Sequence, residues 1–336
     1  MSKYARIEPF AGLHSRLSAF INDPDDIILA DAARENPWFV REFAITAIKG
    51  ILNFIDPSNL ETWLSGYNFH GKQDNNIGII MAGNIPLAGF HDLLCVLVSG
   101  NKAVLKTSHQ DRVLTDFVIN CLLDSDPAFR ERISETEDLQ RVDALIATGS
   151  DNSARQFKYL FKDIPRIIRS NRTSCCILDG SETTGDYSKL ALDMFLYFGL
   201  GCRNVSKIYI PIGYDIQKLI SSVGGFEWII DNGKYYNNYI HHRSLFEMNH
   251  EKFIDAGYFI LLETAKTGSP VSVFYYQNYE SAEDLKEIIS RSGDMIQCIV
   301  SGEKFRQLGV DFGMAQFPMP WEYADDVDTL KFLLSL

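Results

Sequence analysis

The sequence predicts an α/β protein made of two α/β domains with an N-terminal helical layer, and three observations carry that expectation. Residues 1–70 place apolar side chains three and four positions apart in RIEPFAGLHSRLSAFI, NPWFVREFAITAIKGILNFI and SNLETWLSGY, the period of helices that bury one face. From residue 76 onward, short β-rich runs alternate with helical patterns, as in a parallel sheet with helices packed on it. With 336 residues, 46% of them apolar, the chain is long enough for about two such domains, each with its own core.

In order, the first α/β block reads as a strand in IGIIMAG, a helix over 88–98, a strand in KAVLKT, a helix over 111–123, a strand in DALIATG, a helix from 151 and a strand over 166–169. The second reads as strands in SCCILD (174–179) and SKIYIPI (206–212) around a helix over 186–198. FILLET, VSVFYY and a helix over 281–290 follow. The expected organisation is therefore 1–70 helices packed on the first α/β domain, 71–171 that domain, 172–300 the second domain, and 301–336 a segment returning to the first. There is no internal repeat at a fixed period.

Composition removes several classes of function. Forty-four acidic against 32 basic residues leave a formal charge of -12, which opposes non-specific attraction to nucleic acid or anionic lipid. No segment has the roughly 18 uncharged apolar residues of a membrane span, and MSKYARIEPF lacks the pattern of a secretory leader, so integral membrane association is not expected and a cytoplasmic location is. The six cysteines show no Cys-x-x-Cys spacing. Reduced thiols are the default in a chain this long. The histidines of KYYNNYIHHR, with His250, lack the spacing of a metal site, so no metal is expected.

Three segments could carry chemistry. In MAGNIPLAGFHDLLCVLVSGNKAVLKTS (81–108), Asn84 sits at the mouth of the predicted sheet, where its amide could donate to an oxyanion; a turn asparagine beside a proline is the plainer reading. Lys106 could hold a ribose or phosphate, or be an ordinary lysine at a strand end. In ATGSDNSARQF (147–157), Gly149 ends a strand and Ser150 precedes a helix, a place for a pyrophosphate or simply for an N-cap. In YFGLGCRNVSKIYIP (197–211), Gly199 and Gly201 precede Cys202 and leave room around its sulfur, although an isolated cysteine is more often inert and buried. Phe195 and Phe198 ahead of it could line an acyl tunnel or form part of a helix core.

Taken together and in this order, with TGSPVSVFYYQNYESAEDL (267–285) as a fourth segment, these motifs resemble the aldehyde dehydrogenase superfamily. NPWFVREF, the GNIP form of the asparagine turn and MPWEYADDVDTLKFL narrow the resemblance to the LuxC-type acyl-CoA reductases, over about residues 30–336. The resemblance implies a nicotinamide cofactor-binding domain and a catalytic domain. It also implies that Cys202 is the nucleophile, Asn84 the oxyanion donor, Lys106 and Ser108 contacts to the adenosine ribose, and Gly149 with Ser150 a pyrophosphate contact. The implied substrate is an acyl-CoA or acyl-carrier thioester, fatty acyl in this family, reduced to an aldehyde.

Departures from the superfamily pattern sharpen the chemistry. Hydrolytic members carry a glutamate ahead of the cysteine as general base, whereas no glutamate occurs from Lys162 through Ser181 and Asn171 stands at the expected spacing. Losing general-base assistance typically slows water attack by about 10²- to 10⁴-fold, which favours thiol exchange over hydrolysis. His109 follows Lys106-Thr-Ser108 where NAD-preferring relatives often carry an acid, and this tilts the expected donor toward NADPH, with NADH the other candidate. Glu263 lies too far from Pro270 to match the family's other ribose-binding glutamate without a gap. A hydrolytic NAD-dependent aldehyde dehydrogenase, and an acyltransferase or acyl carrier using Cys202 without reduction, remain the alternatives. The chain is shorter than most aldehyde dehydrogenases, which leaves homo-oligomerisation open.

Overall fold

Phe10, Leu13, Leu17 and Phe20 recur every three or four residues and all are buried, so the first long helix is amphipathic and fixed by its core face. In this computed structural model, which describes residues 4–69, 74–139 and 141–336, the helical layer comprises α1 (Tyr4–Ile7), α2 (Pro9–Asn22), α3 (Asp26–Glu35), α4 (Arg41–Phe54) and α5 (Pro57–Ser65). Asp25 and Asp56 accept N–H groups of the first turns of α3 and α5, and Pro57 opens α5. The sequence pattern did not predict α3, which buries only Leu29 and Ala32, too thin a stripe to stand out. The next helix begins at Arg41, not near Asn36, because Asn36 to Phe39 forms a turn closed by Phe39 N–H on Asn36 O at 2.8 Å. The expected boundary between residues 70 and 71 lies outside the described residues.

The chain divides into two units. The first comprises Met1–Asn171 and Pro318–Leu336. Its sheet has five parallel strands, β1 (Asn76–Ile80), β2 (Lys102–Lys106), β3 (Ile133–Glu135), β4 (Ala144–Thr148) and β5 (Arg166–Arg169), in the order β3-β2-β1-β4-β5. Ala144 through Ala147 are all buried, the near-continuous apolar run of a parallel strand covered on both faces. Helices α6 (Phe90–Ser99), α7 (Arg112–Ser125) and α8 (Asp151–Leu160) connect the strands. The whole of α6 from Asp92 to Ser99 is buried, and Gly100 ends it at φ 99°, a conformation that favours glycine. Arg169 of β5 meets Asp92 of α6 through two hydrogen bonds of 2.8 and 2.7 Å and also donates to Thr329 Oγ1 at 2.8 Å. This buried cluster ties the C-terminal helix Thr329–Leu334 to the first unit.

The second unit, Arg172–Phe317, is built on a seven-stranded mixed sheet. It contains β6 (Thr173–Ile177), β7 (Val205–Pro211), β8 (Phe253–Asp255), β9 (Ile260–Glu263), β10 (Val273–Tyr279), β11 (Ile296–Ser301) and β12 (Val310–Asp311), in the order β12-β11-β6-β7-β10-β9-β8. Only the β8–β9 pair is antiparallel. Helices α9 (Thr184–Phe195), α10 (Ile216–Ser222), α11 (Gly233–Met248) and α12 (Ala282–Ser292) complete it. The unit runs past residue 300 to Phe317 because β12 pairs with β11 and the loop after it is held by Asp193. Four strands, β3, β8, β11 and β12, were not foreseen; three have only two or three residues and owe their state to the neighbour that completes their hydrogen bonds. No described helix is long and apolar enough to cross a membrane.

Candidate active site

The carboxyl ends of β2, β1 and β4 lie side by side, and the strand order reverses direction at β1, where open α/β sheets bind ligands. Register alone gathers the expected residues of the first unit there: Ile80 pairs with Lys106 on one side and Ala147 on the other. Asn84 is exposed in the loop after β1. That loop is held from several sides. Met81 N–H donates to Lys106 O at 3.1 Å, Asn36 Nδ2 donates to Gly83 O at 3.3 Å, and Leu87 N–H donates to Asp111 Oδ2 at 2.6 Å. Leu87 sits at φ 59°, a left-handed conformation that costs a non-glycine residue about 1–2 kcal/mol. Asp111 is buried, and burial pushes its carboxyl up to about 8, against the Leu87 hydrogen bond and with help from Glu35.

The residues assigned to a nucleotide occupy the same edge. Gly83 packs so closely on Ser108 that an added Cβ would lie 2.7 Å from Ser108 Cβ, so the backbone passes where only glycine fits. Lys106 Nζ donates to Glu137 O at 2.9 Å and lies 3.5 Å from Glu137 Oε2. An added Cβ on Gly149 would meet Ser153 Cβ at 2.9 Å, and Ser150 caps α8 by accepting Ser153 N–H at 3.2 Å. A lysine at a strand end and the N-terminus of the ten-residue α8 are groups that could hold the ribose and phosphates of a nucleotide. Glu137 was not foreseen, because only the β2–β3 pairing brings it to Lys106.

In the second unit, α9 ends at Phe195, three residues before the expected end of the helix, and the chain then takes a left-handed course through Tyr197 (φ 53°), Phe198 (φ 55°) and Gly199 (φ 75°). Phe198 stays in this conformation because its buried ring packs on Trp228 and Tyr235, with centroids 6.3 and 5.8 Å away. Phe195 is likewise buried, among Phe226, Tyr258, Phe259 and Phe274. Both rings are therefore core, not the lining of a tunnel, and Leu192 of the same helix is exposed.

The strained segment delivers Cys202 into a tight turn. Asn204 N–H donates to Gly201 O at 3.0 Å, and Gly201 N–H donates to Asn204 Oδ1 at 2.9 Å. Asn204 Nδ2 donates to Asp193 O and Leu196 O at 3.2 and 2.8 Å, satisfying carbonyls that the end of α9 leaves open. Ser174 Oγ donates to Cys202 O at 2.9 Å, and Arg203 Nη1 donates to Ala315 O at 3.2 Å. The Asp193 carboxyl accepts Gly313 N–H at 2.6 Å and Ala315 N–H at 3.0 Å, and burial pushes it up to about 7. An aspartate inside the apolar run LALDMF was the sequence sign of this buried anchor. Among the six thiols, Cys202 is the exposed one; four are buried and Cys121 is half-buried. Burial raises the Cys95, Cys121, Cys175 and Cys176 thiols, which keeps them protonated and unreactive.

Glu182, the first glutamate after the gap at 162–181, is buried and spent on the turn after β6. It accepts Asp179 N–H at 2.5 Å, Gly180 N–H at 3.1 Å and the Tyr187 hydroxyl at 3.4 Å. Asn171 is exposed in the crossover after β5, and its N–H donates to Asp151 Oδ1 at 3.2 Å. Glu263 accepts from Asn278 Nδ2 at 2.9 Å, and Pro270 lies in the turn that precedes β10. Among the described residues, no cluster of three or more His, Cys, Asp or Glu is placed to hold a metal.

Solved structures share this fold. An aldehyde dehydrogenase of Mycobacterium tuberculosis complexed with NAD+ superposes with a TM-score of 0.66 at 13% identity, covering 92% of this chain and 75% of that one. The chain has the aldehyde dehydrogenase fold. A NAD-dependent benzaldehyde dehydrogenase from Corynebacterium glutamicum gives a TM-score of 0.67 at 11% identity, covering 95% and 80% of the two chains. A mutant aldehyde dehydrogenase C from Pseudomonas syringae, complexed with NAD+ and octanal, gives 0.67 at 10% identity, covering 92% and 74%. At these identities the likeness is one of fold. No protein-family model matches the sequence, and no curated protein does.

Proposed function

We propose that the protein is a nicotinamide-dependent reductase that converts an acyl thioester, carried on CoA or on an acyl carrier protein, to the aldehyde through an acyl-enzyme on Cys202. The observation that carries this reading is the exposed Cys202 on a turn anchored at Ser174, Asn204 and Ala315, with no glutamate from 162 to 181 and Glu182 spent on a turn. A fatty acyl chain is the substrate class that the sequence resemblance favours.

The Cys202 thiolate attacks the thioester carbonyl, the carbon–sulfur bond to the donor thiol breaks, and that thiol leaves with a proton. The Cys202 N–H supports the oxyanion during transfer, and Asn84 is the further donor that the sequence resemblance implies. Lys106, Ser108, Gly149 and Ser150 would hold the nucleotide, which when bound would supply a hydride; with a proton from solvent this reduces the thioester on Cys202 to a thiohemiacetal. The thiohemiacetal on Cys202 then collapses, releasing aldehyde and the free thiol. His109 favours NADPH as donor and Glu137 favours NADH; of the two, Glu137 stands directly against Lys106.

A second reading, NAD-dependent oxidation of an aldehyde to the acid, is favoured by what the similar folds are named for. Intact mass spectrometry separates the two. Incubation with acyl-CoAs should give an adduct on Cys202 that disappears when the reduced nucleotide is added, with aldehyde as product. Acid formation from aldehyde with NAD+, and no adduct from any acyl-CoA, would instead establish the oxidative reading.

A further inference from the structure

Asp193 lies in the last turn of α9, is fully buried, and reaches the turn of Cys202 by two routes. The first runs through its main chain: Asp193 O accepts Asn204 Nδ2 at 3.2 Å, and Asn204 Oδ1 accepts Gly201 N–H at 2.9 Å. The second runs through its carboxyl, which accepts Gly313 N–H at 2.6 Å and Ala315 N–H at 3.0 Å, while Ala315 O accepts Arg203 Nη1 at 3.2 Å. Residues 201–204 are thus enclosed in a ring of hydrogen bonds that starts and ends on Asp193. Gly313, at φ 84°, lies against Lys189 one turn earlier on α9, where an added Cβ would stand 3.1 Å from Lys189 Cβ, so the loop has no slack toward the helix.

An ionised carboxylate is acceptor-only and takes one N–H on each oxygen, whereas a protonated one sets a hydrogen against one of the two donors. The Gly313 and Ala315 N–H groups therefore suit the charged form, while burial opposes it and pushes the carboxyl up to about 7. No ion pair of Asp193 among the described residues offsets the burial. Lys189 presents its stem to Gly313, Arg203 is turned to Ala315 O, and Asp311 of β12 is bound by Arg306 at 2.8 Å. On β6 the titratable group that feels Asp193 is the Cys176 thiol, itself buried and protonated. Near neutral pH Asp193 is balanced between a form that holds both loop N–H groups and one that must release one of them.

We propose that Asp193 is a positioning residue for Cys202: its carboxylate holds the loop Gly313–Ala315, the loop holds Arg203, and the thiol is set for attack while this ring is closed. This rests on the reading of Cys202 as the nucleophile. Protonation opens the ring, so the presentation of the thiol is lost as pH falls through about 7 and is complete above it. The ionised form is also the one that burial disfavours, so presentation and stability change in opposite directions across that range.

The test is the rate at which iodoacetamide alkylates Cys202 in the full chain, read by peptide mass spectrometry from about pH 5.5 to about 9. Asp193→Asn keeps the volume but accepts only one of the two N–H groups at every pH, so it stands for the open ring; the titration of the thiol is common to both proteins and cancels in the ratio of their rates. The ratio of wild type to Asp193→Asn should rise about tenfold between about pH 6 and about 8, within the roughly 10²-fold that a displacement of about 1 Å costs a reacting group. The same ratio taken in an Arg203→Met background should stay flat, and Arg203→Lys, which keeps a donor for Ala315 O, should restore the rise. Hydrogen exchange of the wild type needs no variant: the protection factors of the Gly313 and Ala315 amides should drop below about pH 7. A ratio independent of pH, a rise that survives Arg203→Met, or amides equally protected on both sides of that pH overturns the role and leaves the acyl-thioester reading standing. Acylation by acyl-CoAs is measured alongside: the expected rise in alkylation with no acylation of Cys202 supports the role of Asp193 and overturns the acyl-thioester reading.

Discussion

Asn204 closes the turn that presents Cys202 by accepting the Gly201 N–H on its Oδ1 at 2.9 Å while its Nδ2 reaches back to the carbonyls of Asp193 and Leu196. One buried amide thus joins the end of α9 to the turn with the exposed thiol. Asn204→Ala strips three hydrogen bonds and leaves buried carbonyls without a donor, so it should destabilise the protein by about 2–4 kcal/mol. Denaturant unfolding measures the loss; a change under 1 kcal/mol would mean that the turn stands without this side chain.

Cys202→Ala should abolish acyl-enzyme formation, and Asn84→Ala should retain it while slowing turnover by about 10²- to 10³-fold, the usual cost of one oxyanion donor. Single-turnover kinetics with an acyl-CoA check both. A Cys202→Ala protein that still forms aldehyde would place the chemistry elsewhere.

Stability should depend on pH through Asp193. Its folded carboxyl, near 7, binds its proton more tightly than an unfolded aspartate, so between about pH 4 and 7 the native state holds more protons than the unfolded one. Stability therefore falls as pH rises through that window, with a slope approaching about 1.4 kcal/mol per pH unit for this group, and levels off above it. Asp193→Asn should flatten the slope by that contribution, as read from urea unfolding across pH 4–8. An unchanged slope would show that Asp193 ionises normally.

Arg169→Met leaves Asp92 buried without its counter-ion and removes the hydrogen bond to Thr329. Breaking one side of a buried pair costs about 3–5 kcal/mol. Hydrogen exchange should show the C-terminal helix Thr329–Leu334 losing protection; if it stays protected, its docking rests on Leu330 and Leu333 instead.

Much of the architecture was legible along the chain. The strands from β1 to β7, apart from β3, are apolar enough over four to seven residues to declare themselves, and Ser150 marks the start of α8. Cys202, Asn84, Lys106, Gly149 and Ser150 could be singled out because glycines, turns and strand ends are local features, whereas Ser108 was named only through the family resemblance.

Tertiary structure alone decided the rest. Side chains far apart in sequence have no local signature of their pairing: Glu137 reaches Lys106 through the β2–β3 register, and Asp193 reaches Gly313 and Ala315 across 120 and 122 residues. The left-handed course at Tyr197 and Phe198 runs against local preference and persists because the packing of Phe198 on Trp228 and Tyr235 outweighs it. By itself the sequence determined which thiol and which strand ends to watch. Packing and register decided how the cysteine turn is anchored and which carboxylate faces the lysine, because burial and pairing are properties of neighbours that the chain acquires only on folding.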